Sequence, residues 1–334
     1  MQIQDLRDLA YLVAAVLFIV DLKWMAHPKT AVRGNYVGAL GMAIAIAATV
    51  LGQSMTWKYI LIGAGVGTII GWLMATKVKM TSMPEMVGIL NGFGGGASVL
   101  VGGSALLAAY QMLVASPGMG MQEKVATSAS AIIGAVTFFG SYVAFAKLAE
   151  FLGVKWKLKP WQAWVKYGFA AATGVGGIAY ALTVHLSAAN IPLYWLLTGV
   201  SAVLGVLLTI SIGGADMPVA IALLNSYSGL AGCATGFVIG NSVLIVAGSL
   251  VGASGIVLTQ IMCKAMNRSM TNVLFSALGP TADTPDADEV YRSVKATSAE
   301  EIAIMLDGAR HVVIIPGYGM AVAQAQHRVR ELYD

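Results

Sequence analysis

Charge is scarce in this 334-residue chain: only 11% of residues are Asp, Glu, Lys or Arg, against about a quarter in ordinary soluble domains. That shortage excludes a single water-soluble globule. Cysteine is rarer still. Cys233 and Cys263 each lie in or beside an apolar run, so the chain offers no disulfide framework and no metal-ligand spacing. Of the four histidines, His27 and His185 fall near the ends of apolar runs, and His311 and His327 lie close to the C-terminus. No histidine, aspartate or glutamate stands in the middle of a long apolar run, so an obvious titratable relay at mid-membrane depth is missing. A formal net charge of +4 suits basic cytoplasmic loops better than a nucleic-acid-binding surface. The first residues mix Asp5, Arg7 and Asp8, unlike a cleavable signal, so the first apolar run is expected to stay as an anchor.

What is present is long apolar sequence. A helix needs about 20 mostly apolar residues to cross a hydrocarbon core, and that ruler finds nine candidate spans, near 7–24, 36–53, 58–76, 83–113, 125–151, 166–186, 191–212, 217–239 and 242–264. Strands fit poorly, because the runs are unbroken rather than alternating. Connections after the first, third and fifth spans carry ten basic residues, among them Lys147 and Lys166; the opposite side carries three, Arg7, Lys58 and Lys124. By the positive-inside rule the N-terminus is expected outside and, after nine crossings, the C-terminus in the cytoplasm.

Composition changes after residue 268. Residues 1–268 hold 15 basic and 7 acidic residues, whereas 269–334 hold 5 and 9. Residues 1–268 are therefore read as a transmembrane domain and 269–297, with its acidic Pro-containing stretch, as a cytoplasmic linker. From 298 a soluble unit begins. Ser298-Ala299-Glu300-Glu301 predicts a capping box and a short helix, His311 to Ile315 a buried strand, and Met320 to Tyr333 a second helix.

An internal repeat joins two of the spans. Residues 83–97 and 217–231 share Met-Pro, six residues, Asn, any residue, an aromatic, any residue, Gly, any residue, Ala. Pro84 and Pro218 suit the first turn of a helix. Asn91 and Asn225 each follow seven residues later, about 10 Å deeper at 1.5 Å per residue. Two carboxamides at matched depth admit two readings: a polar path for protons or ions, or interhelical hydrogen bonds that glue helices together. Glu85 and Asp216 sit at the same helix starts, where the helix dipole favours a carboxylate. The loop before Asp216 has no basic residue, so its partner is expected from elsewhere, with Lys264 and Arg268 as candidates. The clustered glycines, Gly92, Gly94, Gly95, Gly96, Gly102, Gly103, Gly252 and Gly255, read chiefly as close helix packing.

Gly317-Tyr318-Gly319-Met320-Ala321-Val322-Ala323 follows the strand-like run and opens the last predicted helix, the context of a dinucleotide-binding turn of Gly-x-Gly-x-x-Ala type. Only about one strand and one helix of such a domain precede Asp334, so the remainder is expected from a longer product or from another chain.

With these residues in hand, the sequence resembles the β subunit of the proton-translocating NAD(P) transhydrogenase from its first span to its last residue. The resemblance is carried by Gly213 to Pro218, Leu224 to Gly229, Ile261 to Ser269 and Pro316 to Gln326. It implies a proton-conducting membrane domain joined to the first strand and helix of a Rossmann-like NADP(H)-binding domain. It also implies an α partner that binds NAD(H), hydride transfer between the two nicotinamides, a dimer of the complex in membrane lipid, and a bacterial inner (plasma) membrane location. Matched position by position, Gly317, Tyr318, Gly319, Met320, Ala321, Val322, Ala323 and Gln324 correspond to the NADP(H) phosphate-binding turn. Asn225 corresponds to a polar residue of the proton path, and Asp216 and Arg268 to charged groups at its cytoplasmic mouth. Asn91 stands where many relatives carry a histidine; because Asn does not titrate near neutral pH, a titratable carrier would come from an α-side helix or coupling would be altered. A secondary transporter or channel with a nucleotide-sensing tail also accommodates the parallel repeat.

Overall fold

The computed structural model describes residues 3–51, 57–79, 82–111, 120–149, 151, 160–183, 190–267, 269–275, 297–317, 320 and 323–333. The chain divides into two units, Met1–Gly279 and Pro280–Asp334.

The first unit is helical throughout its described residues. Its elements are α1 (Ile3–Met25), α2 (Ala31–Leu51), α3 (Trp57–Lys77), α4 (Met83–Gln111), α5 (Met121–Leu148), α6 (Pro160–Thr183), α7 (Asn190–Ile210), a 3-10 turn at Gly214–Asp216, α8 (Met217–Ile239), α9 (Ser242–Ala265) and α10 (Met270–Phe275). Seven of these, α2, α3, α4, α5, α7, α8 and α9, are long and apolar enough to cross a membrane. The expectation of nine spans is thus met only in part. α1 and α6 have the length, at 23 and 24 residues, but α1 carries Asp5, Arg7, Asp8, Asp21 and Lys23, and α6 carries Gln162 and Lys166 beside Trp and Tyr. Both copies of the repeat open a helix at their methionine, α4 at Met83 and α8 at Met217. The fixed φ of the proline that follows suits the first turn, where its missing N–H leaves no bond unmade.

Helix ends follow local chemistry. α5 begins four residues before its apolar run because Glu123 accepts a hydrogen bond from the Gly120 N–H at 3.1 Å. α8 stops at Gly240, whose φ of 65° closes the helix in the left-handed conformation. α9 restarts at once, with the Asn241 side chain capping the Leu244 N–H at 3.0 Å.

Packing is helix against helix. α5 lies at the centre, against α4, α6, α7 and α8, while α8 also packs on α9, and α1 pairs with α2. Glycine sets the closest approaches. A Cβ on Gly95 would stand 2.6 Å from the Gly134 carbonyl oxygen, and one on Gly229 would stand 2.6 Å from the Gly252 nitrogen. The α4–α5 and α8–α9 crossings are therefore backbone-to-backbone, as in small-residue membrane packing. α3 is the opposite case and buries no residue.

In the second unit the described residues form α11 (Ala299–Asp307) and α12 (Gln326–Tyr333). The expected capping box is present: the Glu301 N–H donates to Ser298 Oγ at 3.3 Å, and Glu301 Oε2 accepts from the Ser298 N–H at 3.4 Å. The expected strand is not. Among the described residues there is no strand, and residues 311–315 are exposed and outside regular structure. Pairing defines a strand, and no second strand among the described residues accepts its N–H groups. Met320 is helical as expected, but the helix does not run through to Tyr333: residues 323–325 form a turn in which Gln324 takes a left-handed φ of 51°, and α12 begins at Gln326. The first strand and helix of a Rossmann-like domain are accordingly not formed by these residues.

The Thr297 hydroxyl, and then the Ser298 N–H, hold the Glu301 carboxyl below the usual glutamate range. Glu300 is held low by its own N–H and then by Ser298. A carboxylate whose pKa falls on folding contributes stability above its unfolded pKa, and that contribution is lost as pH drops through the folded value. α11 is thus expected to loosen below the ordinary glutamate range and to be fully capped at neutral pH. Ser298→Ala should raise amide exchange at Glu301 about fivefold at pH 7, the scale of one lost N-cap, and hydrogen exchange of the whole chain measures it.

Candidate functional site

Asn91 lies two turns into α4, 8% exposed, and its Nδ2 donates to the Ile221 carbonyl of α8 at 3.4 Å. Ile221 is four residues before Asn225, so helix geometry directs the Asn225 N–H to the same oxygen. The Asn91 carboxamide thus reaches the carbonyl one helical turn before Asn225, its counterpart 134 positions away in sequence. Asn225 is half-buried and its carboxamide makes no hydrogen bond among the described residues; its carbonyl accepts from Ser228 Oγ at 2.7 Å.

Ser141 of α5 closes the third side. It is fully buried, its hydroxyl has no hydrogen-bond partner, and its Cβ lies 3.4 Å from where a Cβ on Gly92 would stand, beside Asn91. Sequence reasoning passed over Ser141. The signal was on α5: Thr127, Ser130, Thr137 and Ser141 recur at helical spacing, and all four are 0% exposed. Further along this face, Ser130 Oγ lies 2.8 Å from the Ser98 carbonyl and 3.0 Å from Thr235 Oγ1, and Tyr194 OH donates to the Val99 carbonyl at 2.7 Å. α4, α5, α7 and α8 thus enclose a column of hydroxyls and carboxamides in an otherwise apolar bundle.

One end of this bundle is charged. Asp216 is 6% exposed and ends the 3-10 turn that leads into α8. Lys264 is exposed and makes no ion pair among the described residues, and Arg268 lies outside those residues. Two lysines from distant helices reach this loop. Lys147 Nζ, at the end of α5, donates to the carbonyls of Ile210 and, at 2.8 Å, Ile212. Lys166 Nζ of α6 is 3.4 Å from Ser211 Oγ. Charge-assisted bonds to the last carbonyls of α7 satisfy groups that a helix end leaves open. Glu85, in the first turn of α4, is half-buried and needs no role beyond the helix dipole.

In the tail, Tyr318, Gly319, Ala321 and Val322 lie outside the described residues. Gly317 accepts at its carbonyl from the Met320 N–H at 3.1 Å, and nothing lies within 4 Å of where its Cβ would stand. That open backbone fits close approach by a phosphate group. Ala323 and Gln324 belong to the turn before α12 rather than to a helix opened by the glycines. No cluster of three or more metal-ligating side chains occurs among the described residues.

Comparison with known proteins agrees with this architecture. The family model described as NAD(P) transhydrogenase beta subunit matches residues 7–334. Two relatives from Rhodospirillum rubrum, both named NAD(P) transhydrogenase subunit beta, are 42% identical over 329 residues, covering 97% of this chain and 70% of each relative. A chain with several apolar helices that matches the family model over nearly its full length is a membrane subunit of this enzyme, and it belongs to the NAD(P) transhydrogenase beta subunit family.

Proposed function

We propose that this chain couples hydride transfer between NAD(H) and NADP(H) to proton translocation, with the proton passing the seam formed by Asn91, Asn225 and Ser141. The observation that carries the reading is the bond from the buried Asn91 carboxamide to the Ile221 carbonyl, one turn before Asn225, beside a buried Ser141 hydroxyl with no hydrogen-bond partner among the described residues. Neither asparagine gains or loses a proton near neutral pH. Each offers N–H donors and a carbonyl acceptor, so together they hold and orient water along which a proton moves. Asp216 takes or releases the proton where the seam meets the loop held by Lys147 and Lys166, and Arg268 balances its charge.

The topology that goes with this reading has nine crossings, with α1 and α6 included, the N-terminus outside and the C-terminus in the cytoplasm of a bacterial inner membrane. The ten-to-three bias of basic residues supports it. Residues 1–268 form the proton-translocating domain, 269–297 a linker, and 298–334 the start of the NADP(H)-binding unit. There the turn Gly317 to Gln324 holds the phosphates through open backbone. An α partner holds NAD(H), and the complex works as a dimer in membrane lipid. The bound nicotinamides supply the hydride chemistry; the residues of this chain bind, orient and move the proton.

The test is proton uptake by vesicles that contain the chain with its α partner. Asn225→Leu keeps the volume and removes the carboxamide, and uptake should fall by about tenfold or more. Wild-type uptake in that variant would remove Asn225 from the path.

A further inference from the structure

α5 and α6 leave a groove of about 330 Å³ between them, walled by Met121, Val125 and Ile132 on one side and Gly174, Ile178 and Leu182 on the other. That volume lies within the range of about 300–1,000 Å³ usual for ligand sites. α6 turns Thr173 and Tyr180 into the bundle, where both are buried and their hydroxyls have no hydrogen-bond partner among the described residues. A different face, with Gly174, Ile178 and Leu182 at four-residue spacing, forms the groove wall. The groove opens outward, because Val125, Ile178 and Leu182 are exposed although they line it. Ser128 is the polar side chain on the wall. Its hydroxyl is spent on the Gly177 carbonyl at 3.0 Å, so the side chains that line the groove offer a ligand apolar surface.

The length of the groove says what fits it. From Met121 to Ile132 the α5 axis rises about 16 Å at 1.5 Å per residue. That is one leaflet, half of a hydrocarbon core about 30 Å thick. An acyl chain reaches that far from the membrane surface, whereas a crossing helix calls for a face about twice as long. Gly174 makes the room, since nothing lies within 4 Å of where its Cβ would stand. A cation waits at the surface end. Lys124 lies three residues after Met121 and four before Ser128, so helical spacing sets it on the groove face. It is half-buried, and its side chain makes no hydrogen bond or ion pair among the described residues. The neighbouring carboxylate, Glu123, accepts from the Gly120 N–H at 3.1 Å. An unpaired ammonium above an apolar groove one leaflet deep matches an acidic headgroup above an acyl chain.

We infer that the α5–α6 groove binds a membrane phospholipid with an anionic headgroup, its acyl chain against Gly174 and Ile178 and its phosphate at Lys124. The chain fills the space beside α6, the helix whose Lys166 reaches Ser211 on the loop before Asp216. The inference rests on α6 crossing the membrane beside α5, as in the topology above, and on no step of the proton path.

The experiment takes the complex of this chain with its α partner from nanodiscs of equal phosphatidylcholine and phosphatidylglycerol and counts the lipids that survive into native mass spectra. Gly174→Leu fills the groove and should remove one phosphatidylglycerol. Gly63→Leu, at another position with nothing within 4 Å of its Cβ, should remove none. Lys124→Gln should weaken retention of that same lipid about fivefold, the worth of one lysine beside an anionic surface. Combined with Gly174→Leu it should cost nothing further. Should Gly174→Leu lower the thermal midpoint by more than a few degrees, Ile178→Trp blocks the groove from an exposed position instead. An unchanged lipid count in the blocked variant overturns the site. Retention indifferent to Lys124→Gln overturns the anionic headgroup, and a lipid held by the chain alone but not by the complex shows that the α partner covers the groove and overturns the site too. In sealed vesicles, labelling of Val175→Cys, exposed on α6, by an impermeant maleimide would overturn the crossing and the site together. Protection there with an unchanged lipid count would overturn the site alone.

Discussion

Gly248→Ala is expected to destabilise the membrane domain by about 1–3 kcal/mol, the range for atoms forced into a packed interior. A Cβ there would collide with the Cys233 nitrogen and stand 2.6 Å from the Gly229 carbonyl oxygen. Both obstacles are backbone, so no side-chain rotation relieves them. The crossing is reciprocal: a Cβ on Gly229 would stand 2.9 Å from the Gly248 carbonyl oxygen. Gly229 with Cys233 and Gly248 with Gly252 are four-residue pairs, the spacing through which membrane helices bring backbones together. The measurement is the thermal midpoint of the purified protein in detergent. Gly63→Ala is the control, because nothing lies within 4 Å of its Cβ position, and its midpoint should not fall. Equal midpoints for the two variants would mean that the α8–α9 crossing is looser than described.

Lys147→Met should have an effect of similar size but local in place. Methionine fills the methylene volume and removes a donor that serves the Ile210 and Ile212 carbonyls. Bonds to a charged donor contribute about 1.5–3 kcal/mol each, and the carbonyls left behind lose their one cationic partner among the described residues. A loss of about 3 kcal/mol is expected at the end of α7. The Ile212 amide donates to Thr209 and the Asp216 amide to Gly213, each at 3.1 Å, so these two amides report the loop. Their exchange should rise by about two orders of magnitude, with amides in the middle of α8 unchanged. Exchange at the wild-type rate would show that Lys147 only covers the loop.

These two cases mark what could be read from sequence. The long helices were legible because an apolar run of spanning length has few alternatives, and the starts of α4, α8 and α11 were legible because Met-Pro and a Ser-x-x-Glu box act within one turn. Lys147 and Lys166 were not. They reach the loop before Asp216 across 65 and 45 positions of chain, and in sequence they are indistinguishable from other basic residues at helix ends. Ser141, Thr173 and Tyr180 were hidden for a related reason. Each is one of several polar residues in a mostly apolar helix, and only the neighbours decide whether its hydroxyl is satisfied by its own helix. The tail failed differently: His311 to Ile315 has strand composition, but composition does not supply the partner a strand needs, and nothing in the residues around Gln324 announced its left-handed turn.

The glycine crossings bear on how the membrane domain can move. α4 meets α5 at Gly95 and Gly134, and α8 meets α9 at Gly229 and Gly248, with backbones so close that no Cβ fits at these crossings. The mechanical parts are then two stiff pairs rather than single rods. Between them runs the 3.4 Å bond from Asn91 to Ile221, already long, which a shear of about 1–2 Å, the usual scale of interface shifts, would break while both crossings held. A slip between the two pairs would carry the two asparagines apart, because Asn91 rides on α4 and Asn225 on α8.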